Sequence, residues 1–514
     1  MAVTWSPNQG GSGFFSGGNT VFRGGFGLYY GPGQTEDQIQ PIESDRISST
    51  ITSGSLLAFP ANIPGIVANF ESNPNNLNYQ PRAYSANYKV PERIFQYTFS
   101  WQQQLPYNLV STVAYVGSQG RNLFLRSVAN QILPGSTTIL NGTNIPTGFG
   151  VVNRTNAGGQ VIGVTTVRQF SIVNGTSVQN PYAEVDYKTS GGDDRYNALQ
   201  FSLQRSFNTG LTMNMQYTYG SSEGLSSGSN EARTSAQLDN FEADRGRNNF
   251  DIRHTFNVSA LYELPVGRGK RFDFGRTGNV FLGGWELGGI LNARSGVPIE
   301  VLVVRPDVVV VCQQVGGCPN GAGGTFAQGF VANLPSLGPN FPALPAGFVA
   351  VINTPGGGNS RNVRRPNLIG DPFLDEDRQF LNPAAFATPA PGEWGDLGRN
   401  ALDGPTFRQL DLILAKRFRF NETMNIEFRT EFFNILNQAN FANPSATLNN
   451  ALPNLSYTAS TGAYSASSSN VVQPGQAFSQ PAAGSTFGLL RSTVGRTVGL
   501  GSNRQVQFAF RFNF

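Results

Sequence analysis

The residues of this 514-residue chain that could bind or react lie in a few short stretches. One stretch, where a long polar connection meets a strand, contains Asp244, Arg245, Arg247, Asp251, Arg253 and His254. Such a cluster can contact a polar substrate at the mouth of a lumen, or its charges can pair and hold neighbouring strands together. We favour the charge-paired network, in which His254 is a structural hydrogen-bonding residue.

A second charged stretch contains Arg361, Arg364, Arg365, Asp371, Asp375, Glu376 and Asp377. Its mixed charges are typical of a solvated loop. The segment Gly267-Arg268-Gly269-Lys270 lacks the upstream glycine of a phosphate-binding loop, so it is interpreted as a turn. Because no nucleophile–base pair and no paired carboxylates stand out by spacing, we expect no enzyme activity and no cofactor.

Only two cysteines occur, Cys312 and Cys318, close together in a glycine-rich stretch. A local disulfide in an oxidising compartment is the preferred interpretation. A metal site is not expected, because His254 is the only histidine and no second cysteine pair exists.

The last ten residues alternate polar and apolar side chains. In a strand, successive side chains point to opposite faces, so one face carries Val506, Phe508, Phe510, Phe512 and Phe514. An apolar stripe on a terminal strand suits a face that meets lipid. A soluble sandwich could also bury such a face, and the other strands must decide between the two.

Other segments repeat this two-residue period and form hairpins with tight turns, as in residues 95–116, 199–219 and 410–432. Further strands are expected at 20–30, 254–264 and 281–293, giving about 12 to 14 in all. Between the hairpins the chain runs through long connections at 33–91, 127–194, 221–250, 306–407 and 439–486. Short turns at one end and long loops at the other are typical of an antiparallel outer-membrane β-barrel with long extracellular loops.

Composition agrees with this class. Charged residues are 13% of the chain, against about 25% in average soluble proteins. Glycine and phenylalanine are abundant, with 61 and 39 residues, and no apolar run is long enough for a membrane helix. The net charge of +4 is small for this length, so no nucleic-acid partner is expected.

Several motifs resemble the barrel of TonB-dependent receptors of the Oar-like, carboxypeptidase-regulatory-domain type. They lie, in consistent order along nearly the whole chain, at residues 20–30, 113–123, 196–200, 250–256, 285–298, 380–386, 398–400 and 431–437. The resemblance implies an outer-membrane barrel of about 22 strands around a plug. It also implies active uptake of a large scarce substrate, such as a siderophore, oligosaccharide or peptide, with energy from the TonB–ExbB–ExbD complex.

The chain departs from this family in what precedes its first strands. No TonB box, plug or regulatory β-sandwich is recognised, and neither is a signal peptide. We therefore expect residues 1–514 to be the C-terminal part of the barrel domain of a longer outer-membrane protein from a Gram-negative bacterium. TonB–ExbB–ExbD would then act only through the missing N-terminal region.

The stripe that ends at Phe514 resembles the signal read by the barrel assembly machinery, and β-augmentation would be its physical basis. Outer-membrane lipid, this machinery and an unknown transported substrate are thus the expected partners. Two other functions remain open: a passive outer-membrane pore or structural surface barrel, and a secreted soluble β-rich adhesin or glycan-binding module.

Overall fold

The computed structural model describes residues 1–7, 10–11, 13–31, 81–132, 151–155, 161–174, 177–179, 181–182, 185–205, 210–225, 235–333, 344–354, 364–376, 378–419, 424–467, 470–495 and 503–514. Its main element is a 13-stranded sheet, which we call the wall. The all-β class predicted from the alternating pattern is confirmed.

Eleven wall strands follow one another in sequence order, and each pairs antiparallel with the next. They are β1 (Ala2–Trp5), β2 (Thr20–Tyr30), β3 (Arg93–Leu105), β4 (Leu109–Ala129), β5 (Val185–Arg205), β6 (Leu211–Gly224), β7 (His254–Glu263), β8 (Trp285–Arg294), β9 (Phe407–Arg419), β10 (Asn425–Phe433) and β11 (Gln505–Asn513). Two short strands lie beside this path: Arg82–Tyr84 pairs with β5 and Gly246–Arg247 pairs with β6. Among the described residues, β1 and β11 are the free edges and do not pair with each other.

The pairing register gives the wall one apolar face. Phe510 lies opposite Phe428, Phe428 opposite Lys416, and Lys416 opposite Trp285, so side chains of one parity align across strands. This face leaves large apolar side chains exposed, including Phe26, Phe99, Tyr115, Leu199, Tyr219, Leu287, Leu414, Phe428, Phe508 and Phe510. A face of this kind on a long sheet is what lipid contact requires.

The opposite face is polar. On β8, β9 and β10 it carries a ladder of ion pairs, in which Arg417 lies 3.3 Å from Glu286 and 3.2 Å from Glu427. Arg429 continues the ladder at 3.0 Å from Glu427 and 3.1 Å from Glu431. Guanidinium and carboxylate groups in rows suit a water-filled lumen better than lipid.

The two ends of the wall differ. At one end the connections are short, as in the 3-10 turn Pro106–Asn108 between β3 and β4. The connection between β7 and β8 is at this end too and contains the helix α1 (Gly275–Leu282). All long connections predicted from the sequence leave from the other end. In outer-membrane barrels the short turns are periplasmic and the long loops extracellular.

The fourth and fifth long connections fold into a packed unit, which we call the cap (the described parts of 295–406 and 434–504). Its centre is a five-stranded sheet in the order Phe348–Ile352, Val308–Cys312, Val331–Asn333, Asn454–Thr458 and Ala463–Ser467. Shorter pairs surround it: Pro298–Ile299 with Leu402–Asp403, Leu302–Val303 with Thr447–Leu448, Cys318–Pro319 with Thr325–Phe326, Asn367–Leu368 with Phe386–Ala387, and Phe373–Glu376 with Gln379–Leu381. The helix α2 (Gln480–Ala483) and the 3-10 turn Pro383–Ala385 complete the cap.

The cap contains the main apolar core of the described chain. Val301, Phe386, Leu448 and Phe487 form one buried cluster, and Val310 belongs to a second one in the central sheet. Residues 306–407 and 439–486 are long connections between wall strands, as expected, but they are not structureless, because they contain the paired strands of the cap. Short two- to five-residue strands give too little alternation to be recognised in sequence.

In the second long connection, strands pair as Val151–Thr155 with Val161–Thr166 and Ile172–Asn174 with Ser177–Gln179.

Several predicted boundaries also need correction. β5 begins well before the expected loop limit at 194 and β4 ends slightly after the one at 127, because their pairing continues to Val185 opposite Ala129. The strand expected from Phe281 begins at Trp285, since residues before it form α1. No helix in the described ranges is long and apolar enough to cross a membrane.

Candidate functional site

A charged layer joins the wall to the cap at the long-loop end of β5, β6 and β7. We call it the charged seam. It consists of Asp244, Arg245, Arg247, Asp251 and Arg253 from the connection before β7, together with Arg365, Arg399 and Asp403 from the cap. The 3-10 turn Phe241–Asp244 and the short strand Gly246–Arg247, which pairs with β6, place the first three of these residues.

Asp244 is the buried carboxylate of the seam, with 5% of its surface exposed. Its Oδ1 accepts a hydrogen bond from Arg365 at 2.6 Å, and its Oδ2 accepts from the Ser235 hydroxyl at 2.6 Å and the Ala236 amide at 2.8 Å. Burial raises the pKa of Asp244, but the Arg365 guanidinium and these hydrogen bonds outweigh burial and hold the pKa below its usual range. Asp244 is therefore a fixed anion that ties the cap to the wall.

Arg399 is the buried cation of the seam, with 3% of its surface exposed. Its Nη1 donates to the carbonyls of Leu225 at 2.7 Å and Asp244 at 3.0 Å. Its Nη2 donates to the Arg247 carbonyl at 3.3 Å and to Asn248 Oδ1 at 3.1 Å. Burial lowers the pKa of Arg399 to about 10, which still leaves the side chain cationic at neutral pH.

Asp251 collects two further arginines at the end of β6. Arg247 Nε lies 2.8 Å and Arg253 Nε 3.3 Å from Asp251 Oδ2, while Oδ1 accepts from the Ser222 amide at 2.7 Å. Arg247 also reaches Asp403 of the cap at 2.6 Å. Burial lowers the pKa of Arg247, but the hydrogen bonds to Asp251 and Asp403 more than compensate and raise it overall.

Arg245 lies at the outer side of the seam and is the most exposed of its predicted cations. It pairs with Glu242 at 2.6 Å and with Asp193 of β5 at 2.8 Å. These partners raise the pKa of Arg245 above its ordinary value. The structure thus brings together five of the six residues that the sequence groups before β7.

His254 is the exception. It lies on the apolar face of β7, where its ring is 5.1 Å from the Tyr219 ring, and its Nδ1 is 2.8 Å from the Tyr217 hydroxyl. Its side chain therefore points away from the charged seam.

A second buried network lies inside the cap, around Arg305, Arg364 and Asp307. Arg364 lies 2.6 Å and Arg168 3.3 Å from Asp307, and Arg364 also donates to the carbonyl of Arg305. Arg305 donates to the carbonyls of Asn353 at 2.7 Å and Glu393 at 2.9 Å, and burial lowers its pKa to about 10.

The expected solvated loop is therefore wrong for Arg364 and Arg365, because both guanidinium groups are buried against carboxylates. Asp371 and Glu376 are exposed as expected, whereas Arg361, Asp377 and the side chain of Asp375 lie outside the described residues. Sequence reasoning also missed Arg399, Arg305 and Asp403 as parts of the networks. The only signal for Arg399 was its place in the short Gly-Arg-Asn motif at 398–400.

A cavity of about 370 Å³ opens beside the seam, at the far ends of β4 and β5. Its lining is mostly apolar and comprises Ala83, Ala129, Gln169, Phe170, Val185, Tyr187, Leu238 and Asp239. A concave, largely apolar surface with few polar groups can hold a small part of a ligand. Within the described ranges, no group of three or more histidine, cysteine or acidic side chains is arranged to hold a metal ion.

Cys312 and Cys318 are joined by a disulfide, and both side chains are buried in the core of the central cap sheet. The stripe Val506, Phe508, Phe510, Phe512 and Phe514 lies along β11, at the free edge of the wall and largely exposed. The Phe508 ring stacks on Phe428 of β10 at 6.2 Å. The stripe's role as an assembly signal stays a prediction.

The chain is similar to known outer-membrane proteins. Residues 3–328 and 344–507 match the family model described as outer membrane beta barrel domain. No curated protein sequence matches the chain.

Similar solved structures include the ferric-catecholate import receptor Fiu from E. coli K12, with 10% identity and a TM-score of 0.30 over 89% of this chain and 32% of that one. The outer membrane transporter YddB from Escherichia coli has 9% identity and a TM-score of 0.34, over 90% of this chain and 38% of that one. The copper transporter OprC has 10% identity and a TM-score of 0.27, over 82% and 31%. The chain thus spans about a third of the length of these structures.

Proposed function

Because this chain belongs to the outer membrane beta-barrel domain family and lies in the outer membrane, we propose that residues 1–514 form the C-terminal part of the barrel of a TonB-dependent receptor. This receptor takes up a large scarce substrate, such as a siderophore, an oligosaccharide or a peptide. The chain is non-enzymatic. TonB–ExbB–ExbD acts on it only through a region outside these residues.

The packed cap is the observation that supports a receptor most. The cap has its own apolar core and is tied to the long-loop end of the wall through Asp244 and Arg399, which favours a receptor over a passive pore with an open mouth. A rigid surface at that end offers preformed binding sites for a large ligand. The open wall is the second support: its edge strands need partners, because unpaired backbone groups are costly in lipid.

The size of the native polypeptide tests the proposal. An antibody raised against the cap is used to probe outer membranes of the source bacterium. We expect a polypeptide well above the 55.3 kDa of this chain, retained by the immobilised periplasmic domain of TonB. A band at the mass of this chain that TonB does not retain would contradict the receptor.

Ion conductance separates the receptor from the passive pore. The isolated chain is added to a planar lipid bilayer, with a known porin as the positive control. We expect no stable channels, because this wall needs further strands to close. Steady open channels would favour the pore over the receptor.

The barrel assembly machinery is the proposed partner of β11. Removal of Phe514 should lower the amount of chain inserted into the outer membrane, whereas removal of the N-terminal Met1 should not. Immunoblots of membrane and periplasmic fractions measure this. Equal insertion of the two truncated chains would count against an assembly signal at the C-terminus.

A further inference from the structure

The connection between β7 and β8 is built differently from the tight turns at the same end of the wall. We call residues 264–284 the rim segment. Its backbone folds back on itself, with Gly267 donating to the Phe272 carbonyl at 2.9 Å and Phe272 donating to the Pro265 carbonyl at 3.0 Å. Asp273 Oδ1 then accepts from the Gly275 amide at 2.9 Å and the Asn279 side chain at 2.7 Å, which orders the start of α1.

The rim segment buries almost none of its large apolar side chains. Phe281 is 68% exposed, Phe274 55%, Leu282 51% and Val280 50%. None of the residues of α1 is buried. An ordered element that leaves this many apolar groups in contact with the surroundings marks a contact surface.

The rim segment lies on the lipid side of the wall. The side chains of Trp285 on β8 and Lys416 on β9 both lie on the apolar face of the wall. Trp285 Nε1 donates to the Phe281 carbonyl at 2.9 Å, and Lys416 Nζ donates to the same carbonyl at 3.0 Å and also to that of Gly283. These bonds hold the end of α1 against the outside of the wall, so its exposed side chains continue the apolar face.

The segment is also cationic. It contains Arg268, Lys270, Arg271 and Arg276 against the single carboxylate Asp273, a net charge of four minus one, or +3. Lys270 pairs with Glu263 of β7 at 2.9 Å. Arg271 and Arg276 form no ion pair within the part of the chain that the structure describes. Basic groups next to exposed aromatic and aliphatic groups match the boundary between phosphate headgroups and acyl chains.

We propose that the rim segment is an interfacial anchor, which inserts Phe281 and Leu282 into the periplasmic leaflet of the outer membrane. Arg271 and Arg276 bind the phosphate groups of anionic phospholipids there. The anchor fixes the height of β7, β8 and β9 in the bilayer. The inference needs the outer-membrane location of the wall, and it does not depend on transport.

Lipid quenching tests the insertion. The native protein that contains these residues is isolated from outer membranes of a producing strain and reconstituted in phosphatidylethanolamine vesicles that contain some phosphatidylglycerol. A bimane label is placed at Phe281→Cys, with Phe510→Cys on the apolar face of β11 as the positive control. Val304→Cys, at an exposed apolar residue of the cap, is the negative control. We expect lipids with a nitroxide near the headgroup to quench the label at position 281 and spare the label at 304.

Two outcomes would overturn the anchor. If the label at 510 is quenched and the label at 281 responds only to aqueous iodide, the rim segment lies in water. If neither label is quenched by lipid, the wall itself is not in the bilayer as described.

Phosphatidylglycerol content tests the charge. Added phosphatidylglycerol should increase lipid quenching of the label at 281, and this increase should be lost in the Arg271→Gln, Arg276→Gln double variant. The label at 510 in the same double variant shows whether the wall still inserts. An unchanged response of the double variant to phosphatidylglycerol would rule out headgroup binding by these arginines.

Discussion

Arg399 joins the cap to the wall through one guanidinium group. Four of its hydrogen bonds end on oxygen atoms of Leu225, Asp244, Arg247 and Asn248. A buried cation is costly unless its donors are satisfied, and here backbone carbonyls provide most of that satisfaction. Replacing this side chain therefore leaves several buried acceptors without partners at once.

The first prediction concerns the stability that is lost when Arg399 is replaced. Arg399→Gln should lower the free energy of unfolding of the cap by about 2–4 kcal/mol, because a shorter amide cannot reach all four acceptors. Urea titrations that follow the fluorescence of Trp394 in the cap measure this change. The control is Arg491→Gln at an exposed site, where we expect a change below about 0.5 kcal/mol. Equal stability of the two variants would show that Arg399 does not hold the seam.

The second prediction concerns the stability of the fold at acidic pH. The pKa of Asp244 is lowered in the folded chain, so its ionised form stabilises the fold above the unfolded pKa. That contribution is lost as pH falls below about 4 and passes through the folded pKa. Asp244→Asn should therefore be less stable than the parent at pH 7, and the difference should shrink in acid. A difference that stays constant from neutral to strongly acidic pH would contradict the assignment.

Among the strands, β11 has the clearest alternation of polar and apolar residues, and it lies at an exposed edge of the wall. Its alternation was readable from sequence because nine consecutive residues keep one period and one face. α1 was not readable, since its eight residues contain three apolar side chains next to one another that also fit the start of a strand. The cap strands were missed because their pairing partners lie far away in the chain, as in Leu302–Val303 with Thr447–Leu448.

The third prediction separates the two faces of β11. Phe510→Lys places a charge on the apolar face and should destabilise the wall by about 2–4 kcal/mol. Gln507→Lys places the same residue on the polar face, opposite Glu431, and should be nearly neutral. The fraction of chain that inserts into lipid vesicles across a urea series compares the two variants. Similar losses for both would mean that the faces are not lipid and lumen.

The fourth prediction concerns the disulfide of the cap, which closes a short loop. Cys312 and Cys318 are separated by six positions, and closing so small a loop stabilises a fold by about 2 kcal/mol. The Cys312→Ser, Cys318→Ser double variant should lose that amount in urea titrations. A reductant should lower the stability of the parent to that of the variant and leave the variant unchanged. A parent that does not respond to the reductant would contradict this role.

At the scale of the whole molecule, the sequence was sufficient for the wall and insufficient for the cap. Period-two stripes such as the one ending at Phe514 indicate a membrane sheet without any knowledge of tertiary contacts. The charge pairs of the seam, by contrast, arise only when connections more than a hundred residues apart meet, as Arg365 and Asp244 do. Sequence could group Asp244, Arg247 and Asp251, but it could not supply their partners in the cap.

The fifth prediction addresses the open wall. If further strands complete the barrel, a bismaleimide should not join Val3→Cys on β1 to Phe508→Cys on β11 within one chain in native outer membranes. The positive control is Phe428→Cys with Phe510→Cys, which lie directly opposite each other on β10 and β11. Cross-linking of the first pair as efficient as that of the second would show that the chain closes on itself.

Because the cap is built from two separate connections, its folding depends on when each of them crosses the membrane. Each connection has both of its ends in the wall, so each must be exported across the bilayer as unfolded chain. The partner of Leu302–Val303 is Thr447–Leu448, which lies in the fifth long connection, between β10 and β11. The apolar centre of the cap therefore cannot close until both connections have reached the same side of the membrane, so a folded cap reports that the connection between β10 and β11 has been translocated.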